Sequence, residues 1–99
     1  MSFADFQQSI TDDSVPPAEL GPELSALWHD RRGDWNAAHH LAQAAGGKNG
    51  AWVHAYLHRK EGDEENAGYW YRRAGQPDAA GSLDAEWEKI ARVVLGRGE

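Results

Sequence analysis

Apolar residues recur along this chain at helical spacing, and Gly, Asp and Pro break the pattern into segments. Phe3, Phe6 and Ile10 form one stripe over residues 3–10, as an amphipathic helix requires. Thr11 to Pro17 reads as a turn or linker with two prolines. Gly21-Pro22 suits a helix start, because Pro at the first helical position gives up an N–H that has no partner there. Leu24, Leu27 and Trp28 follow at helical spacing, and Gly33 ends that helix. Asp34 is placed to cap the next helix, which runs through Ala45 and stops at Gly46-Gly47. Asn49 opens a helix over 50–61, closed by Gly62, and Asp63 opens another to Ala74, closed by Gly75. Beyond Gln76-Pro77, Ser82 or Asp84 starts a last helix with Leu83, Trp87, Ile90, Ala91 and Val94 on one face. No stretch shows the period-two alternation of a strand.

The pattern repeats. Gly33-Asp34 returns as Gly62-Asp63, 29 residues on. Before it, Leu24, Leu27 and Trp28 align with Val53, Tyr56 and Leu57. After it, Ala38, Leu41, Ala42 and Ala45 align with Ala67, Trp70, Tyr71 and Ala74. Each unit is a helix, a tight turn and a helix, and such units share a core by stacking.

The turn and second helix of each unit resemble the tetratricopeptide repeat. Ala38 and Ala67 lie four residues after the Asp, and Ala45 and Ala74 eleven after it, as in that family. Tyr71 matches the family's aromatic eight after the Asp, whereas Ala42 does not. His54 and His58 stand where the family has apolar or aromatic packing residues, and the period is shorter than the family's 34. The match covers roughly residues 22–75. It implies an all-α fold: a tetratricopeptide-like stack of two helical hairpins with an N-terminal helix and a C-terminal capping helix. The single domain over 1–99 divides into 1–20, hairpin 1 over 22–46, hairpin 2 over 49–75 and a last helix over 83–96. That last helix is expected to cover the apolar edge of the second hairpin. Trp52 to Arg73 also resembles a segment of small uncharacterised helical proteins with a W-H-x-x-x-H-R-x-E-G-D-x-x-N-A-x-Y-W-Y-R-R pattern. Here Val53 separates Trp52 from His54. This resemblance assigns no activity.

Composition narrows the classes. Ninety-nine residues suit one domain, and with no cysteine there is neither a disulfide framework nor a thiolate metal site. Residues 1–30 hold six acids and no Lys or Arg, while the rest of the chain balances, so the net charge of −6 sits in the first third. That disfavours nucleic-acid phosphate as a partner. No apolar run approaches the roughly 18 residues of a membrane span, and no secretory signal is visible, so the expected compartment is the cytoplasm.

Chemistry concentrates in one polar-aromatic segment. His54 and His58 are i and i+4, so their rings share one strip of a helix. Two such neutral imidazoles can ligate one divalent ion, with His39, Glu61 or Asp63 as further ligands. Ala55 stands where a zincin would carry its general base, so that motif is excluded. The structural alternative is that both histidines fill half-buried positions and hydrogen-bond between helices. Glu61-Gly62-Asp63 reads first as a helix end and a cap, with Asn66 closing the capping interaction, and secondly as a source of a general acid or base. Arg59, Arg72 and Arg73, beside Tyr69, Trp70 and Tyr71, suit a carboxylate, a phosphate or a planar ligand. The plainer role of Arg72 and Arg73 is pairing with Glu64, Glu65 or the helix C-terminus. Trp28, Trp35, Trp52, Trp70 and Trp87 fall one per helix, as core pillars would. Gly46-Gly47-Lys48-Asn49-Gly50 lacks the spacing, the Ser/Thr and the strand of a phosphate loop and reads as a flexible hairpin connection.

The leading functional expectation is a small interaction module that binds a peptide or protein partner through Trp52, Tyr56, Arg59, Tyr69, Arg72 and Arg73, with no nucleic acid and no membrane. In that reading Trp52 and Tyr56 are partly exposed in a groove. The alternative is a small-molecule or divalent-metal site, with hydrolase chemistry, at His39, His54, His58 and Glu61. A third reading is a homo-oligomer.

Overall fold

A computed structural model of the chain describes residues 1–96, and the described residues form six helices and no strand. They are α1 (Phe3–Asp12), α2 (Pro22–Arg31), α3 (Trp35–Ala45), α4 (Gly47–Lys60), α5 (Glu64–Ala74) and α6 (Leu83–Leu95). The fold is all-α, as the periodicity predicts. Residues 97–99 of the expected single domain lie outside the described residues. No helix among the described residues is long and apolar enough to cross a membrane.

The two Gly-Asp turns are the same structure built twice. Gly33 and Gly62 both have φ of 86°, a left-handed conformation that costs glycine little. The N–H of Asp34 donates to the His29 carbonyl and that of Asp63 to the His58 carbonyl, each at 2.9 Å. Each Asp side chain then accepts an N–H three residues on, from Ala37 and from Asn66. This closes α2 onto α3 and α4 onto α5.

Helix α4 is the centre of the molecule and packs against α2, α3, α5 and α6. Every residue from Gly50 to Leu57 is buried. The structure here departs from the sequence reading, which starts this helix at 50 and makes Gly46 to Gly50 a loose connection. Positive φ at Gly46 and Gly47 turns the chain at once, and α4 begins at Gly47. Gly50 lies so near α3 that a Cβ there would sit 3.0 Å from the Ala45 Cβ and 3.4 Å from the Ala42 carbonyl. Gly50→Ala is therefore expected to lose about 1 kcal/mol, the overpacking cost exceeding the gain in helix propensity. Gly68→Ala in α5 would meet only the tip of Arg72, and is expected to gain up to about 1 kcal/mol. Urea unfolding of both variants checks the contrast.

Helix α6 lies across α4 and α2, the first helices of both hairpins, rather than along the edge of the second alone. Trp87 is its anchor. Its ring stacks on Phe6 at 5.6 Å, meets Phe3 edge-on at 6.0 Å, and donates its N–H to the Leu27 carbonyl at 3.1 Å. Residues 1–20 thus join the core: α1 packs on α6, Trp28 donates to Ser9 Oγ, and Arg32 donates to the carbonyls of Ile10 and Asp13. Ser82 is the cap of α6. Ser2 and Asp5 form a capping box on α1.

Candidate functional site

The α3–α4–α5 side of the molecule gathers three histidines. His39 comes from α3, and His54 and His58 from one strip of α4. The Nε2 atoms of His39 and His54 are 2.9 Å apart. The His54 and His58 rings stack at 4.9 Å, and His39 meets both edge-on. One ring nitrogen from each of the three lies within 4.8 Å of the others.

Two tryptophans enclose the cluster. Trp35 stacks on His39 at 4.8 Å, held by its N–H on the Leu57 carbonyl at 3.0 Å. Trp70 stacks on His54 at 4.0 Å. Both rings are half-buried, whereas Trp28, Trp52 and Trp87 are the buried pillars. The expectation that all five tryptophans are pillars is corrected for these two. Their partners were within reach of the sequence in one case: Trp35 and His39 are i and i+4 on α3.

Behind the cluster, Glu61 Oε1 lies 2.6 Å from His58 Nδ1. A carboxylate there favours the tautomer with the proton on Nδ1, which has its lone pair on Nε2. A carboxylate oxygen of Asp63 also lies within 4.8 Å of ligand atoms of His58 and Glu61, so these three form a second group of ligand type. The Asp63 carboxylate accepts from the side chain and the backbone N–H of Asn66, which hold its pKa below the usual value. The capping reading of Asp63 and Asn66 thus describes their hydrogen bonds.

Burial favours the neutral form of two of these imidazoles, His54 and His39. Burial lowers the pKa of His54 to about 4, and the neighbouring His39 and His58 push the same way. Burial and the charge of His58 lower His39 as well. A neutral imidazole presents a lone pair, which is what a metal ion or a hydrogen-bond donor needs.

The residues expected to contact a partner are scattered. Trp52 and Tyr56 are 4% and 2% exposed, so neither has the partial exposure expected of it, and Trp52 only borders a small cavity with Pro77 and Ala80. The reason is the position of α4, which has neighbours on both its arcs. Burial, and then the Asp30 charge, raise the pKa of Tyr56, and its hydroxyl donates to Asp30 Oδ2 at 2.9 Å. Lys60 Nζ meets the other oxygen of Asp30 at 2.8 Å. Arg59 is spent on Glu86, at 2.9 Å, and on the Gly81 carbonyl. Tyr71 donates to Glu86 from α5 at 2.5 Å, and burial, then this bond, raise its pKa. Tyr69 and Arg72 are exposed. Arg73 sits over the rings of Tyr69 and Trp70 at 5.7 and 5.4 Å. Neither Arg72 nor Arg73 forms the expected pair with Glu64 or Glu65. Among the described residues no buried side-chain nitrogen or oxygen lacks a hydrogen-bond partner.

A cavity of about 610 Å³ opens beside His54. Ala42, Gln43 and the Gly46-Gly47-Lys48 turn form one side, and Trp70 and Arg73 the other. The sequence pattern puts Lys48 in a flexible connection, whereas the structure puts it in the first turn of α4, beside this cavity.

Compared with protein-family models, curated proteins and solved structures, the chain matches none.

Proposed function

We propose that this domain binds a divalent transition-metal ion of the zinc class through His39, His54 and His58. The single observation behind the reading is the approach of three imidazoles from two helices, two of them with Nε2 atoms 2.9 Å apart. Zinc bonds of about 2.0–2.1 Å to nitrogen in a tetrahedron set neighbouring ligands about 3.3 Å apart. The His39–His54 pair needs to open by only a few tenths of an ångström. The wider separations, up to 4.8 Å, close by rotation of the half-buried His39 and His58 rings. Glu61 on His58 supplies the carboxylate partner that orients metal-bound histidines elsewhere. Three protein ligands leave a fourth position for water or substrate, which is the arrangement of catalytic rather than structural zinc. Bound there, the ion would act as a Lewis acid on a carbonyl or phosphoryl oxygen.

The peptide-adaptor reading has less support, because Trp52 and Tyr56 are buried and α6 covers both first helices.

The test is a thermal melt of chelator-treated protein near pH 7.5 with and without Zn²⁺, Ni²⁺ or Mn²⁺. A ligand of the native state at a hundredfold excess over Kd adds about 2.7 kcal/mol, on the order of 10 °C for a chain of this size. Zn²⁺ and Ni²⁺ should exceed Mn²⁺. His39→Ala and His58→Ala remove half-buried rings, and each should melt without a zinc-dependent shift of its own. No shift with any ion, or an unchanged shift in both variants, sinks the proposal.

A further inference from the structure

The cavity beside His54 carries a charge that the rest of the chain does not predict. The protein has a net charge of −6, yet no Asp or Glu lines this space. Two cations do, Lys48 from α4 and Arg73 from α5. Lys48 makes no ion pair or hydrogen bond among the described residues. Its Nζ reaches toward the end of α5, where a Cβ built on Gly75 would lie 3.9 Å away. Arg73 meets only the Tyr69 hydroxyl, at 3.3 Å, and the two aromatic faces. Four other cations are committed, Arg31 to Asp84, Arg59 to Glu86, Lys60 to Asp30 and Arg92 to Glu88, and Arg72 and Lys89 do not line this space. Unspent guanidinium and ammonium groups facing one space attract an oxyanion.

The remaining walls suit the body of a small molecule. Ala42, Ala51 and Trp70 are apolar or aromatic, Gln43 offers an amide, and His54 lies against the same space. The volume falls within the range of small-molecule sites.

We infer that this cavity binds a small organic oxyanion, a carboxylate or a phosphate ester, held between Lys48 and Arg73 with its body on Trp70 and its far end toward His54. The inference deepens the metal reading, and rests on it for what the far end would meet. The oxyanion contact itself needs no metal. Lys48 and Arg73 set the anion at the mouth, and Trp70 serves both as the wall of the cavity and as the face that holds the His54 ring.

The test uses the full chain, stripped with chelator, in low-salt buffer. Inorganic phosphate and benzoate are titrated separately while tryptophan fluorescence and melting temperature are followed. Saturable changes with either anion are expected, absent with equal ionic strength of chloride. Benzoate saturating at lower concentration would identify a carboxylate on a planar body, and phosphate doing so would identify a phosphoryl group. Lys48→Gln and Arg73→Gln, both at exposed positions, should melt like the wild type alone and bind at least tenfold more weakly. Lys89→Gln, on α6, should bind as the wild type does. No saturable change with either anion, or unchanged binding in the Lys48 and Arg73 variants, overturns the inference. A zinc-dependent melt that persists in those variants leaves the metal reading standing when this one fails. Anion binding that persists in His58→Ala, with the zinc shift gone, separates the two in the other direction.

Discussion

Glu86→Ala is expected to cost about 3–5 kcal/mol of stability, read as a lower urea midpoint, which is a large share of what a domain of this size possesses. Glu86 lies in the first turn of α6 and its side chain is 6% exposed. Both of its oxygens are used, one by Arg59 of α4 and one by Tyr71 of α5. The carboxylate therefore joins three helices at a single point. Removing it leaves the Arg59 guanidinium with only the Gly81 carbonyl and no counter-charge, and the buried Tyr71 hydroxyl with no acceptor. The cost comes from those stranded groups more than from the lost attraction, since buried ion pairs roughly offset their own desolvation. The triple variant Glu86→Leu, Arg59→Met, Tyr71→Phe should recover most of the loss, because the one acceptor it releases, the Gly81 carbonyl, is exposed and returns to water. A single variant that loses under about 1 kcal/mol, or a triple variant no better than the single, would refute this account. Asp30→Ala breaks the analogous contact with Tyr56 and Lys60, and a smaller loss is expected there. The Lys60 side chain is 39% exposed and can return to water.

These contacts also show what the sequence concealed. The Gly-Asp turns, the Asp caps and the last helix could all be read locally, because each is specified within a few residues. Glu86 and Asp30 could not. Taken singly they are charges on helices, and their partners lie 27, 26 and 30 residues away in the cases of Arg59, Tyr56 and Lys60. The error over Trp52 and Tyr56 has a related cause. Helical periodicity finds one apolar arc on α4, whereas every residue of α4 from Gly50 to Leu57 is buried. The small residues Gly50, Ala51 and Ala55 on the same helix were the available sign that other helices come close there. At the candidate site, the i and i+4 spacing of His54 and His58 was visible. The meeting with His39 is a tertiary fact, set by the two-glycine turn and by the bare surface of Gly50. Lys48 was hidden by the same misreading of that turn.

Mild acid is expected to weaken the metal-free protein by roughly 3 kcal/mol between pH 6.5 and about 4, before general carboxylate protonation completes unfolding. The sign follows from His54. Its ordinary pKa is 6.5, and in the fold burial, His39 and His58 lower it to about 4. Between those values the unfolded chain binds a proton that the folded chain refuses. Stability is thus intact above pH 6.5 and is lost as the pH falls toward 4. His39 is lowered as well and adds to the loss, although the nearby Glu61 works against it. The charge that finally enters has no free carboxylate beside it. Trp70 covers one face of His54, Nε2 meets another imidazole, and Glu61 is bound to His58. Urea midpoints at pH 7.5, 6 and 4.5 measure the effect. His54→Leu should be less stable than the wild type at pH 7.5 and should lose much less of its stability on acidification. Equal slopes in the two proteins would remove His54 from the explanation. Under the zinc binding proposed above the same test sharpens, because an ion there would bind only the unprotonated rings. Its stabilisation should fade over the same interval, so acid would strike the loaded protein twice, through the lost ion and through the forced charge on His54.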